Sequence, residues 1–169
     1  MTYFPWSNDC SVGIRIIDND HKDLFGMVNA LHVALEGGAP AKNIDSLLAA
    51  LSRYVEEHFE REEELMAAYN YPGLSAHKAK HKELALDVHA LRKAHISHPH
   101  RVDRDKFLEY LKNWLSNHIL RSDMDYVPYL RDQADKKQTK ERRRGRSGGK
   151  ARTISWRKFS AITRMSMLS

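Results

Sequence analysis

His58 and Glu62 stand four residues apart, and so do His77 and His81. On an α-helix that spacing stacks two side chains on one face, and imidazole and carboxylate groups held side by side are ligands for a transition metal. His118 and, five residues later, Asp123 add a third group, and His21 adds a fourth. Either four-residue pair taken singly is weak evidence, because a lone buried histidine is more often a hydrogen-bonded core residue than a ligand. The question is whether the groups face one interior at one level.

Apolar residues recurring at steps of three and four supply the frame. One stripe reads Leu48, Leu51, Val55, His58, Glu62, Leu65, Tyr69; a second reads Leu74, His77, His81, Leu84, Val88, Leu91. His118 takes its turn after Leu108, Leu111 and Leu115, and His21 stands one step before Leu24, Val28, Leu31 and Leu35. Each stripe therefore turns a polar group inward. In antiparallel helix pairs, residues equally far from the turn share a level, with about 1.5 Å of rise per residue of offset. Counting from the turns puts His21 beside Phe59, Glu62 beside His81, His81 beside His118 and His77 beside Ser122. Five histidines and a glutamate thus fall in one layer, and burying them unpartnered would be costly. A metal is the reading that offsets that cost. Asp123 lies about 140° from His118 on a regular helix, so spacing alone leaves it open unless the helix widens locally toward a π-type turn. Glu63 and Glu64 fall off the inward face and are expected in solvent.

The elements that must position these residues are four amphipathic helices. The first is expected from Asp18 as N-cap to Gly37-Gly38, and the second from Asn43–Asp45 to the Tyr71-Pro72-Gly73 break. The third runs from Ser75 into the region of Pro99, and the fourth from Asp103 to Tyr126 or slightly beyond, near Pro128. Connections of roughly four to eight residues favour antiparallel neighbours. The fold class is all-α, an up-down-up-down four-helix bundle. Residues 1–17, with Phe4, Trp6, Val12, Ile14 and Ile16 at no helical spacing, read as an extended N-terminal arm.

Composition narrows the chemistry. The one cysteine, Cys10, excludes an intrachain disulfide framework and thiolate-rich zinc or iron–sulfur ligation. No apolar run approaches the roughly 18 residues needed to span a bilayer, and the start lacks the pattern of a signal peptide, so a cytoplasmic location is expected. The net charge of +6 averages two unlike segments: residues 134–169 carry twelve Lys/Arg against two Asp/Glu, which leaves −4 for residues 1–133. The expected division is a bundle over 1–133 and a basic tail over 134–169. The tail reads as a flexible charged linker followed by a short segment with Trp156, Phe159 and Ile162 among basic residues. Such a segment suits an anionic membrane surface, nucleic acid or a protein partner.

His21, the run His58-Phe-Glu-Arg-Glu62, the run His77-Lys-Ala-Lys-His81 and the run His118-Ile-Leu-Arg-Ser-Asp123 resemble, in this order, the hemerythrin family and its bacterial branch. The likeness extends to Asp18-Asn-Asp-His21-Lys, to Tyr54 four residues before His58, to Glu62-Glu-x-Leu-Met66 and to Trp114-Leu-x-x-His118-Ile119, and covers about residues 4–130. The resemblance implies two non-haem irons (Fe2+/Fe3+) joined by a hydroxo or oxo group. It assigns His77, His81 and His118 to one iron, His21 and His58 to the other, and Glu62 and Asp123 to both. Asp123 is thereby counted as a ligand. Asp20 stands where bacterial members often have glutamine, which puts the hydrogen bonding behind His21 in question.

The implied activity is reversible dioxygen binding, for storage, delivery to an oxygen-using enzyme or sensing. Leu24, Trp114, Leu115 and Ile119 would wall an apolar oxygen pocket, although each also suits simple packing of the bundle. The competing reading is a di-iron redox enzyme consuming peroxide or nitric oxide. Oxygen-activating enzymes of the ferritin-like class use Glu-x-x-His pairs. The residues three before His58, His77, His81 and His118 are Val55, Leu74, Lys78 and Leu115, none of them acidic. A third reading is a protein whose tail sets its location.

Overall fold

The computed structural model describes residues 2–98 and 103–147, and those up to Leu130 hold the expected bundle. Its helices are α1 (Arg15–Glu36), α2 (Ala41–Ala68), α3 (Leu74–Ser97) and α4 (Arg104–Asn117); α4 passes through a π-helical segment, His118–Asp123, into α5 (Met124–Ser147). Helix α2 packs on α1 and α3, and α1 packs on α4, as up-down-up-down connectivity requires. No helix among the described residues is long and apolar enough to cross a membrane. The chain divides into two units, Met1–Leu130 and Arg131–Ser169, and the site lies in the first.

The first two reversals are closed by the same device. At the end of α1, Ala39 N–H donates to Ala34 O at 2.9 Å and Gly38 N–H to Leu35 O at 3.2 Å; at the end of α2, Tyr71 N–H donates to Met66 O and Asn70 N–H to Ala67 O, both at 2.9 Å. This pair of bonds satisfies carbonyls that a helix end leaves free and needs a left-handed residue at the corner. Gly38 supplies it at φ 64° and Asn70 at φ 54°, the two residue types that reach that region at least cost. Asp103 caps α4, its carboxylate accepting from Lys106 N–H.

Three expectations change. The N-terminal arm is shorter and less extended than its spacing suggested: it contains a 3-10 turn at Asn8–Cys10, and α1 begins at Arg15. Asp18, expected as the N-cap, lies within the first turn. Its carboxylate accepts from Val12 N–H and Ser11 Oγ–H, both at 2.7 Å, and so folds the arm back onto the helix start. Farther out, Phe4 exchanges two 2.8 Å hydrogen bonds with the Asn29 side chain and stacks on Phe25.

Second, Pro128 does not end the last helix. Tyr126, Val127 and Leu130 around it are buried, and that packing offsets the hydrogen bond the proline removes. Third, the linker expected from residue 134 begins as helix, since α5 continues to Ser147. Residues 129–144 contain neither glycine nor proline, and their Lys, Arg, Gln and Glu side chains favour helix. The segment with Trp156, Phe159 and Ile162 lies outside the described residues.

The core has two apolar clusters. The larger includes Leu24, Leu48, Leu51, Val55, Val88, Leu108, Leu111, Leu115 and Ile119; the smaller includes Val12, Ile17, Met66, Tyr126, Val127 and Leu130. Along each helix of the bundle His21, His58, Glu62, His77, His81, His118 and Asp123 fall between residues that belong to or pack against one cluster and residues that belong to or pack against the other, whereas the buried Ser52 and His95 lie outside that interval.

Candidate metal centre

The seven residues singled out by spacing and resemblance meet in that intervening layer. His21, His58, Glu62, His77, His81, His118 and Asp123 are each at most 4 % exposed. They form two groups: Glu62, His77, His81, His118 and Asp123, and His21, His58, Glu62 and Asp123. Within each group one ligand atom per residue lies within 4.8 Å of every other. Glu62 and Asp123 belong to both groups, so the two carboxylates stand between two sets of imidazoles.

Glu62 Oε2 lies 3.0 Å from His81 Nε2, 3.4 Å from His77 Nε2 and 3.9 Å from His118 Nε2. Asp123 presents Oδ1 at 3.3 Å from His118 Nε2 and 3.5 Å from His77 Nε2, and Oδ2 at 3.3 Å from His21 Nε2. These are close approaches without aligned hydrogen bonds. The Nε2 atoms of all five histidines, Glu62 Oε2 and both Asp123 oxygens are buried without a hydrogen-bond partner. Buried polar atoms are normally paired, and so many orphans aimed at one space fit a bound cation.

The π-helical segment explains how Asp123 reaches the layer. Hydrogen bonds from residue i to i+5 widen the turn, so that residues five apart come nearly into line instead of diverging. The Met124 N–H donates to Ile119 O in this register. The widened turn places both ends of the segment, His118 and Asp123, in the interior.

The protonation states point the same way. Burial, with Glu62 as the next cause, pushes the Asp123 carboxyl well above its usual range. For Glu62 burial acts in the same direction but is outweighed by the His77 and His81 imidazoles close beside it, and the carboxyl stays well below the usual value. Burial drives His118 well below 6.5, and burial with neighbouring His58 takes His21 to about 3. Without a cation, then, the interior tolerates one carboxylate charge and keeps these two imidazoles neutral. Neutral imidazole is the ligand form, and a cation is what lets the second carboxylate ionise.

Several partners were missed by periodicity. Glu63, expected in solvent, accepts from His81 Nδ1 at 2.8 Å and forms an ion pair with Lys78 Nζ at 3.0 Å. It leaves the α2 inward face but meets α3, a contact that no single-helix pattern contains. Asp20 sits behind His58, with Oδ2 at 3.4 Å from His58 Nδ1 and 2.8 Å from Arg61 Nε. The question raised by Asp20 therefore concerns His58 and not its neighbour His21. Tyr126 is fully buried and its hydroxyl donates to Glu62 Oε1. The helical step of three from Asp123 is the only sequence sign of it.

Leu24, Trp114, Leu115 and Ile119 all lie in the larger apolar cluster, at most 6 % exposed. The Trp114 ring is 6.4 Å from that of His118, and Phe59 of the same cluster stacks on His81 at 3.8 Å. The layer is thus flanked on this side by an aromatic and aliphatic wall.

Residues 12–130 match the family described as the hemerythrin HHE cation binding domain. A bacteriohemerythrin of Pseudomonas paraeruginosa is 35% identical over 131 residues, covering 78% of this chain and 84% of that protein. A bacteriohemerythrin of Clostridium acetobutylicum is 29% identical over 131 residues, covering 73% of this chain and 98% of that protein. Among solved structures, a wild-type hemerythrin superposes with a TM-score of 0.69 at 32% identity, covering 76% of this chain and 98% of that one.

Proposed function

The chain belongs to the hemerythrin family, and we propose that it holds two irons through the seven layer residues and binds dioxygen reversibly. The observation that carries this reading is the sharing of Glu62 and Asp123 by both groups. Nitrogen and oxygen donors without thiolate suit iron, and carboxylates common to two sites hold two metals close together. When bound, two such irons supply the pair of one-electron changes by which a dioxygen molecule can be taken up and given back.

The protein's own residues divide the remaining work. His77, His81 and His118 would complete one site, and His21 and His58 the other. The second group offers one side chain fewer, which leaves a position for a small exogenous ligand. Leu24, Trp114, Leu115 and Ile119 keep that side of the layer apolar and so exclude water and proton donors, the conditions under which oxygen leaves intact. The Tyr126 hydroxyl holds Glu62 Oε1, leaving Oε2 toward the histidines. Storage, delivery to an oxygen-using enzyme and sensing all fit this chemistry.

The test is anaerobic reconstitution with ferrous iron, followed by cycles of air and argon while metal content and the visible spectrum are recorded. Two irons per chain and an absorption band that rises in air and falls under argon are expected. Rapid irreversible oxidation would replace the reading with that of a redox enzyme, and a chain that holds fewer than two irons would overturn it.

A further inference from the structure

Two carboxylates outside the layer each face the outer nitrogen of a layer histidine, one in each half. Glu63 Oε1 is 2.8 Å from His81 Nδ1, and Asp20 Oδ2 is 3.4 Å from His58 Nδ1. Resting on the di-iron reading above, we propose that Glu63 and Asp20 are positioning residues, one for each metal, which hold the Nδ1 protons of His81 and His58 and so turn bare Nε2 atoms toward the metals.

A neutral imidazole carries one proton, and a carboxylate beside Nδ1 keeps it there. Nε2 is then left with an exposed lone pair. In both rings that atom is the one buried in the layer without a hydrogen-bond partner. For His81 it lies 3.0 Å from Glu62 Oε2. Two lone-pair-bearing atoms at that distance repel unless a proton or a cation lies between them, so the orientation imposed by Glu63 is that of a metal site.

The two anchors are unequal. Glu63 gives Oε1 to His81, while Lys78 Nζ lies 3.0 Å from Oε2. Asp20 divides its charge: Oδ2 accepts from Arg61 Nε at 2.8 Å as well as facing His58, and Oδ1 accepts from Tyr54 O–H at 3.2 Å. The Tyr54 hydroxyl also reaches Asp23 Oδ2 at 2.7 Å, and the Arg61 guanidinium lies over the Tyr54 ring. Glu63 is therefore the stronger orienting group and Asp20 the weaker, with much of its charge committed to Arg61.

Cobalt(II) provides a test that does not involve oxygen. The full chain, loaded with Co2+ under argon and titrated against a chelator, yields two affinities. The imidazole N–H protons of cobalt-bound histidines appear as shifted, exchangeable proton resonances. Glu63→Gln is expected to weaken one of the two Co2+ ions by roughly 10- to 100-fold and to speed exchange of one N–H resonance, leaving the other ion unchanged. Asp20→Asn should do the same to the other ion with a smaller loss. Both substitutions preserve shape and an acceptor oxygen, so the loss reports the charge; metal-free thermal midpoints check that the fold is retained. Should E63Q unfold the chain, Glu63→Asp carries the test, since it keeps the charge and is expected to leave exchange slower than in an alanine variant. Two Co2+ ions bound with unchanged affinities and unchanged N–H exchange in both E63Q and D20N would overturn this inference alone. A wild-type chain that binds fewer than two Co2+ ions would overturn the reading of the centre and this inference with it.

Discussion

The layer of histidines and carboxylates and the larger apolar cluster beside it are carried by the same helices at the same three-and-four spacing, yet different forces act on them. In the apolar cluster each side chain contributes its own burial, and neighbours replace one another with graded losses. In the layer the imidazole Nε2 atoms and the carboxylate oxygens Glu62 Oε2 and Asp123 Oδ1 and Oδ2 face one another across a shared space without hydrogen-bond partners. The first region supplies stability, whereas the second holds buried polar groups at a cost to it. The contrast teaches that a stripe position is defined by where it points, and that the chemistry placed there decides whether the fold or the ligand feels its loss.

The strongest way to break the comparison is Glu62→Ala. Because Glu62 belongs to both groups, its removal should cost both metals together, read as metal per purified chain after anaerobic loading; retention of two would show that the carboxylate is not shared. The counterpart in the apolar cluster is Leu111→Ala, at a fully buried position. It should lower unfolding free energy by about 2–5 kcal/mol in urea denaturation of the metal-free chain while leaving two metals per chain. A loss of metal there would mean that the cluster shapes the layer directly.

Acid gives a smaller, graded effect that sharpens the same contrast. Burial holds His118 well below 6.5 and His21 at about 3, whereas in the unfolded chain both protonate near 6.5. Between those values the unfolded state binds more protons, so the metal-free chain loses stability as pH falls from near 6.5 toward 3. Asp123 acts in the opposite sense, since its raised value lets the folded chain keep a proton that the unfolded chain releases above about pH 4. The expected result is a thermal midpoint that declines on acidification of the metal-free chain, with a shallower decline in His118→Leu. An equal slope in the variant would remove His118 from the account.

Most of the layer was legible because periodicity in an amphipathic helix reports direction. His58 and Glu62 continue the stripe of Leu48, Leu51 and Val55, and His77 and His81 stand between Leu74 and Leu84. Asp123 was not legible from spacing, because its inward position depends on a change of helical register that the side-chain pattern does not encode; the family resemblance supplied it. Glu63 and Asp20 were missed or misplaced because their partners, His81 and His58, lie on other helices. The same limit applies at Pro128, where a local helix-breaking signal is overridden by burial of Tyr126, Val127 and Leu130.

The approach of His21 to Asp123 at 3.3 Å joins the first helix to the last stretch of the domain. A cation bound between them would behave as a reversible cross-link spanning nearly the whole bundle sequence, and closing so long a loop restricts the unfolded chain most strongly. Such a link could not form during synthesis until the π-helical segment carrying Asp123 had emerged and docked. Acquisition of metal would then be a checkpoint on completed topology: a nascent, truncated or mispaired chain would lack one end of the cross-link, and only the finished bundle would be locked.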